Sequence, residues 1–178
     1  MPGTYAVRVA VPGVAKPLSG SVIVEADPLP KFSAPDRAAR QAILMRIYAW
    51  TKTLGEARLS ARALVAQRDS IVADLPAAAA SDARMRGDSL AARITALAAD
   101  VDRAFNAVNG QRAPIEAWSG LPSVDQRKSL GYAIEDAEKV VAALNKLVSA
   151  DLPAAYQRVA KKEWARRVKA VQPPARTP

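Results

Sequence analysis

The residue types best able to do chemistry in this chain are carboxylates, and several gather in one stretch: Asp125, Glu135, Asp136 and Glu138. Two carboxyl groups held about 5 to 9.5 Å apart would suffice for acid/base work of the glycosidase kind, or could contribute to a metal site. The spacing argues for something plainer. Glu135 stands four residues before Lys139, the favourable i,i+4 pairing of a solvated helix face, and Asp100 and Asp102 face different sides of a helix. Neither cysteine nor histidine occurs. Their absence removes disulfides, thiolate nucleophiles, Cys/His zinc sites and histidine acid/base arrangements together. The expectation is a chain that is not an enzyme and ligates no metal or organic cofactor.

Charge is the second chemical signal. Arg158, Lys161, Lys162, Arg166, Arg167, Lys169 and Arg176 against the single Glu163 leave +6 of the net +9 in the last 21 residues. Beyond an ordinary solvated face, such a bias suits an acidic protein surface, anionic lipid head groups or nucleic acid. Nucleic acid is the weakest of these, because no helix-turn-helix signature, zinc-finger spacing, aromatic RNA-binding strand or glycine-rich phosphate loop accompanies the bases. Trp164 lies among them, eight residues after Tyr156, and could anchor an interface, although a tryptophan in packing is the commoner case. Arg158, Lys161, Lys162, Trp164, Arg166, Arg167 and Lys169, with Trp118 in a loop, form the C-terminal half of a candidate partner-binding set.

The elements that must carry these residues follow from periodicity. Residues 4 to 11 alternate in period two, with Tyr5, Val7, Val9 and Val11 on one face, and read as a strand. Pro12-Gly13 and Lys16-Pro17 punctuate a turn before a second strand at residues 21 to 26. The pair is a hairpin, and because two strands alone are marginal in water, its valine face needs a cover. Pro28, Pro30 and Pro35 make the following connection stiff and extended, which predicts a projecting arm. Tyr5, Val7, Val9 and Val11 therefore complete the partner-binding set.

Ser33-Ala34-Pro35-Asp36 then offers cap chemistry. From about 36 to 72, Ile43, Ile47, Trp50, Leu54, Ala57, Ala61, Leu64 and Ile71 recur in steps of three and four, with Arg68 interrupting and Gly55 a local weak point, so a long amphipathic helix is predicted. Leu90, Ile94, Leu97, Val101, Ala104 and Val108 predict a second over roughly 82 to 108, ending at Asn109-Gly110, residues that tolerate the left-handed conformation. A loop from 111 to 122 holds Pro114, Trp118 and Gly120. Ser123, with Gln126 three residues on, predicts a capping box for a third helix carrying Leu130, Ile134, Ala137, Val141, Leu144 and Val148. Pro153 should break or kink the chain by collision with the Ser149 carbonyl, and a fourth helical segment should follow to about Val171. The hexapeptide Ala-Asp-Leu-Pro-Ala-Ala occurs at 73 to 78 and at 150 to 155 as shared punctuation.

The predicted fold class is mainly α: an antiparallel bundle of three long helices plus a fourth C-terminal helical segment, preceded by an N-terminal β-hairpin. The divisions are a hairpin segment over 1–32, either a docking arm or the remnant of a β-sandwich, a bundle over 33–171 and an extended proline-rich tail over 172–178. At 178 residues with only nine aromatics, one thin, alanine-rich core is expected. No run of about 18 apolar residues occurs, so no spanning helix is expected. Met1 to Tyr5 lack a signal peptide's basic and apolar regions, which leaves a cytoplasmic chain or one whose beginning is missing.

Several stretches resemble the C-terminal region of large secreted bacterial proteins of the sortilin-like and BNR-repeat glycosyl-hydrolase-like kinds. They are Pro2-Gly3-Thr4-Tyr5-Ala6-Val7-Arg8, Val24-Glu25-Ala26-Asp27-Pro28, residues 118 to 126 (Trp-Ser-Gly-Leu-Pro-Ser-Val-Asp-Gln), and the segment from Leu144-Asn145 to Pro153-Ala154. In those proteins β-propellers precede a short β-segment and an alanine-rich helical module. Here no propeller and no Ser-x-Asp-x-Gly-x-x-Trp box is present, so a hydrolase activity does not carry over. The resemblance implies an exported origin, periplasmic or extracellular.

Two functions of different class are then expected. One is a structural accessory subunit that docks into a larger assembly, such as an envelope or membrane complex of the photosynthetic or secretory kind. The other is the helical module of a secreted hydrolase-like protein that binds saccharide or polymer. The incomplete hairpin and the uncovered basic end favour the first, with other protein chains as partners and anionic membrane contact through the C-terminus.

Overall fold

The structure, a computed structural model, describes residues 2–25, 32–74, 80–157, 163–164 and 168–175, without the side chains of 72, 74 and 80–89. Strands β1 (Gly3–Val9) and β2 (Leu18–Val24) form an antiparallel two-stranded sheet with Gly3 opposite Val24 and Val9 opposite Leu18. Both strands lie slightly nearer the N-terminus than alternation alone indicates. The reason is the turn: Val14 N–H donates to the Val11 carbonyl at 3.1 Å with Gly13 at φ +84°, the type II arrangement that Pro12-Gly13 favours. Val11 is thereby drawn out of the ladder, and Leu18 joins it because a strand can begin just after Pro17.

Three long helices follow: α1 (Ala34–Asp74), α2 (Ala80–Gly110) and, after the short α3 (Arg112–Glu116), α4 (Val124–Lys146). Ser33 starts α1 by accepting from the Asp36 N–H at 3.2 Å. The predicted capping box of α4 is present in both halves, Gln126 N–H to Ser123 Oγ at 3.1 Å and Ser123 N–H to Gln126 Oε1 at 2.8 Å. Ser123→Ala should cost about 1 kcal/mol in urea unfolding, and Ser123→Asp, which keeps the acceptor, should cost much less.

The predicted stripes are the core. Ile47, Trp50, Leu54, Ala57, Ala61, Leu64 and Ile71 of α1 are buried, as are Leu90, Ile94, Val101, Ala104 and Val108 of α2 and Leu130, Ile134, Ala137, Val141 and Leu144 of α4, with Ile43 and Leu97 packed at the margin. Cross-links show that α1 and α2 run antiparallel: Arg58 meets Asp102 at 2.6 Å while Arg68, further along α1, reaches back to Thr95. Arg93 of α2 pairs with Asp151, beyond the end of α4, at 2.5 Å, which sets α4 antiparallel to α2. α2 is the central helix, packed extensively on both others, while α1 and α4 approach each other less closely.

Three local points concern the continuity of the helices. α2 ends at Gly110 as expected, but without the left-handed conformation: Gln111 N–H bonds to the Val108 carbonyl and the chain turns in helical geometry into α3, whose Ile115 is buried. Gly55, the weak point of the stripe, does not interrupt α1, which is one long helix as expected. Pro153 does not break the chain either: α4 widens into a π-helical turn at Leu147–Asp151, with Leu152 N–H on the Leu147 carbonyl, and continues as α5 (Leu152–Ala155). A π turn displaces the carbonyls that the proline ring would strike, and a proline has no N–H to leave unpaired. The fourth helical segment is thus a continuation of α4. It does not extend to Val171, because residues 163–164 and 168–175 lie outside any helix.

Candidate docking surfaces

Opposed residues of an antiparallel pair project to the same side, so the register assembles one apolar face from Tyr5, Val7 and Val9 of β1 with Leu18, Val22 and Val24 of β2. Gly20 opposite Val7 leaves a shallow dip in its middle. The other face carries Thr4, Ala6, Arg8, Ser19, Ser21 and Ile23. Every residue of both strands is exposed, as is Val11 in the turn. Periodicity had identified β1's half of this face, whereas Leu18 escaped it because Lys16-Pro17 reads as a turn. The linker prolines Pro28 and Pro30 lie outside the described residues, while Pro35 is within the first turn of α1.

Trp118 is exposed, but its ring meets Phe32 edge-on with centroids 5.6 Å apart. Arg37 donates to the Phe32 carbonyl at 2.5 Å. Behind this contact, Arg40 of α1 donates to the carbonyls of Ile115 and Glu116 at 3.1 and 2.9 Å, a cation on the C-terminal end of α3. Tyr48 hydrogen-bonds to Glu116, which also meets Arg112 at 3.4 Å. The hydrogen bond to Glu116, then burial and the carboxylate's charge, push the Tyr48 hydroxyl above its ordinary pKa, against the opposing charge of Arg112. The Trp118 loop therefore braces the start of α1. Leu121 and Val124 beside it are exposed.

Of the basic set, Arg158, Lys161, Lys162, Arg166 and Arg167 lie outside the described residues. Trp164 is half-buried and packs edge-on against buried Tyr156 with centroids 4.8 Å apart. Lys169 is exposed. It belongs to a segment that no periodicity indicated: residues 168–175, outside helix and strand, with Val168 and Val171 in the core cluster. Asn145 grips this segment twice, donating through Nδ2 to the Val171 carbonyl and accepting the Val171 N–H on Oδ1, each at 2.8 Å.

The carboxylates do not converge. Asp125, Glu135 and Asp136 are exposed, and Lys139 pairs with Asp136 at 3.1 Å, so the i,i+3 neighbour and not Glu135 holds it. Asp102 ties α1 to α2 through Arg58, whose guanidinium also lies over the Phe105 ring at 4.4 Å. Among the described residues, no group of three or more acidic side chains is placed to hold a metal ion, and no helix is long and apolar enough to cross a membrane. No family model matches the chain, and neither a curated protein nor a solved structure is significantly similar to it.

Proposed function

We propose that this chain is a non-catalytic accessory module that docks into a larger protein assembly through its hairpin, with the helical bundle as the body behind the arm. One observation carries this reading: Val7, Val9, Leu18, Val22 and Val24 share a single face of an exposed two-stranded ribbon. Burying a large apolar side chain is worth about 1.5 to 3 kcal/mol, so covering this face stabilises the hairpin as well as the complex. Among the described residues the sheet holds only these two strands, neither of which contains proline, and its edges suit strand addition. An envelope location rests on the resemblance to secreted bacterial modules, and the cationic C-terminal region favours an acidic or anionic neighbour.

Deleting residues 1–26 should leave the helical circular dichroism signal and a cooperative melt, while the chain shifts from a larger complex to its free size in native cell extract. Substituting Val7, Val9 and Val22 by lysine in the full chain should have the same effect. Undiminished assembly by either variant, or an unfolded bundle after the deletion, would overturn the reading.

A further inference from the structure

The C-terminal segment occupies the seam where α1 and α4 pack least closely. It is held from both sides. On the α4 side, Asn145 pairs with both backbone groups of Val171, as a neighbouring residue would in an antiparallel ladder. On the α1 side, Ser60 and Thr53 donate to the carbonyls of Lys169 and Gln172, each at 3.3 Å. These hydroxyls stand two helical turns apart on one face, about 10.5 Å along the axis. The two carbonyls are three residues apart, about 10 Å in an extended chain. The match fixes both register and direction, with the segment running antiparallel to α1. Between the hydroxyls on the same stripe lies Ala57, fully buried and small enough to let a backbone approach.

The segment's own pattern agrees. Val168 and Val171 are buried while Lys169, Ala170 and Gln172 are exposed. The two buried valines stand three residues apart, a spacing that suits the three-residue turn of polyproline II better than the two-residue alternation of a strand, and Pro173-Pro174 directly follow. Most of the polar recognition is directed at main-chain atoms, so it does not depend on the identity of the residues between the valines.

We propose that the seam between α1 and α4 is a recognition groove for polyproline-II-like peptides with two valine-sized side chains three residues apart and proline after them. The C-terminal segment occupies it in cis as a strap, and a partner's segment of the same kind takes its place when the strap is released. This site is separate from the hairpin and stands whether or not the hairpin docks.

The test uses the full chain with Val168→Asp and Val171→Asp, which withdraws the strap and leaves the groove intact. A fluorescent peptide of residues 168–175 is the probe. It should bind the released variant, bind the wild-type chain at least about tenfold more weakly, and lose about tenfold or more when Asn145→Ala is added. A peptide with the valines moved to two residues apart should bind no better than that last combination. Failure to bind a folded released variant, or binding indifferent to Asn145, would overturn the proposal. So would an unfolded double variant, since the strap would then be a fixed part of the core. In the otherwise wild-type chain, Asn145→Ala should speed hydrogen exchange at the Val171 amide by about tenfold or more, and unchanged protection there would also count against the groove.

Discussion

Leu54→Ala should lower the unfolding free energy by about 2 to 5 kcal/mol, whereas Val7→Ala should change it by about 0.5 kcal/mol or less. Leu54 is fully buried midway along α1, and truncating it leaves a cavity that rigid helix backbones cannot close. Val7 is exposed on the hairpin, and its methyl groups face water before and after unfolding. Urea denaturation followed by helical circular dichroism separates the two. Comparable losses would mean that the hairpin belongs to the folding unit of the bundle, and the arm would lose its independence.

Gly120→Ala should be damaging in the Trp118 loop. A Cβ there would stand 2.5 Å from Cε1 of Phe32 and 2.8 Å from Nε1 of Trp118, closer than carbon and nitrogen can approach. Either the ring of Phe32 leaves its contact with Trp118 or the loop shifts, and overpacking of this kind costs about 1 to 3 kcal/mol. A double-mutant cycle tells whether Phe32 is the obstacle. In a Phe32→Ala background the Phe32 part of the Gly120→Ala cost should vanish and only the part due to the Trp118 indole should remain, because adjoining sites that share a clash are not additive. A cost that persists undiminished would place the obstruction elsewhere and remove Phe32 as the brace between the linker and the bundle.

Much of this architecture was legible without coordinates. The steps of three and four in α1, α2 and α4 select the residues found in the core because an amphipathic helix has one way to hide its stripe, and a capping box is a purely local bargain between Ser123 and Gln126. The valines of β1 declared a face in the same manner, since alternation is a property of one strand.

What the sequence could not determine involves partners distant along the chain. Asp102 belongs to Arg58, and Arg40 to the end of α3, only because α1 and α2 lie antiparallel in one register. Leu18 joins the apolar face only once the turn withdraws Val11. Pro153 stays helical because a π turn makes room for its ring, a solution that depends on Leu147, Val148 and Leu152 being held in the core. The fourth place in the bundle went to an extended strap and not to a helix, because Asn145, Thr53 and Ser60 offer main-chain partners at the spacing of an extended chain. That spacing exists only across two packed helices, so no local pattern could announce it.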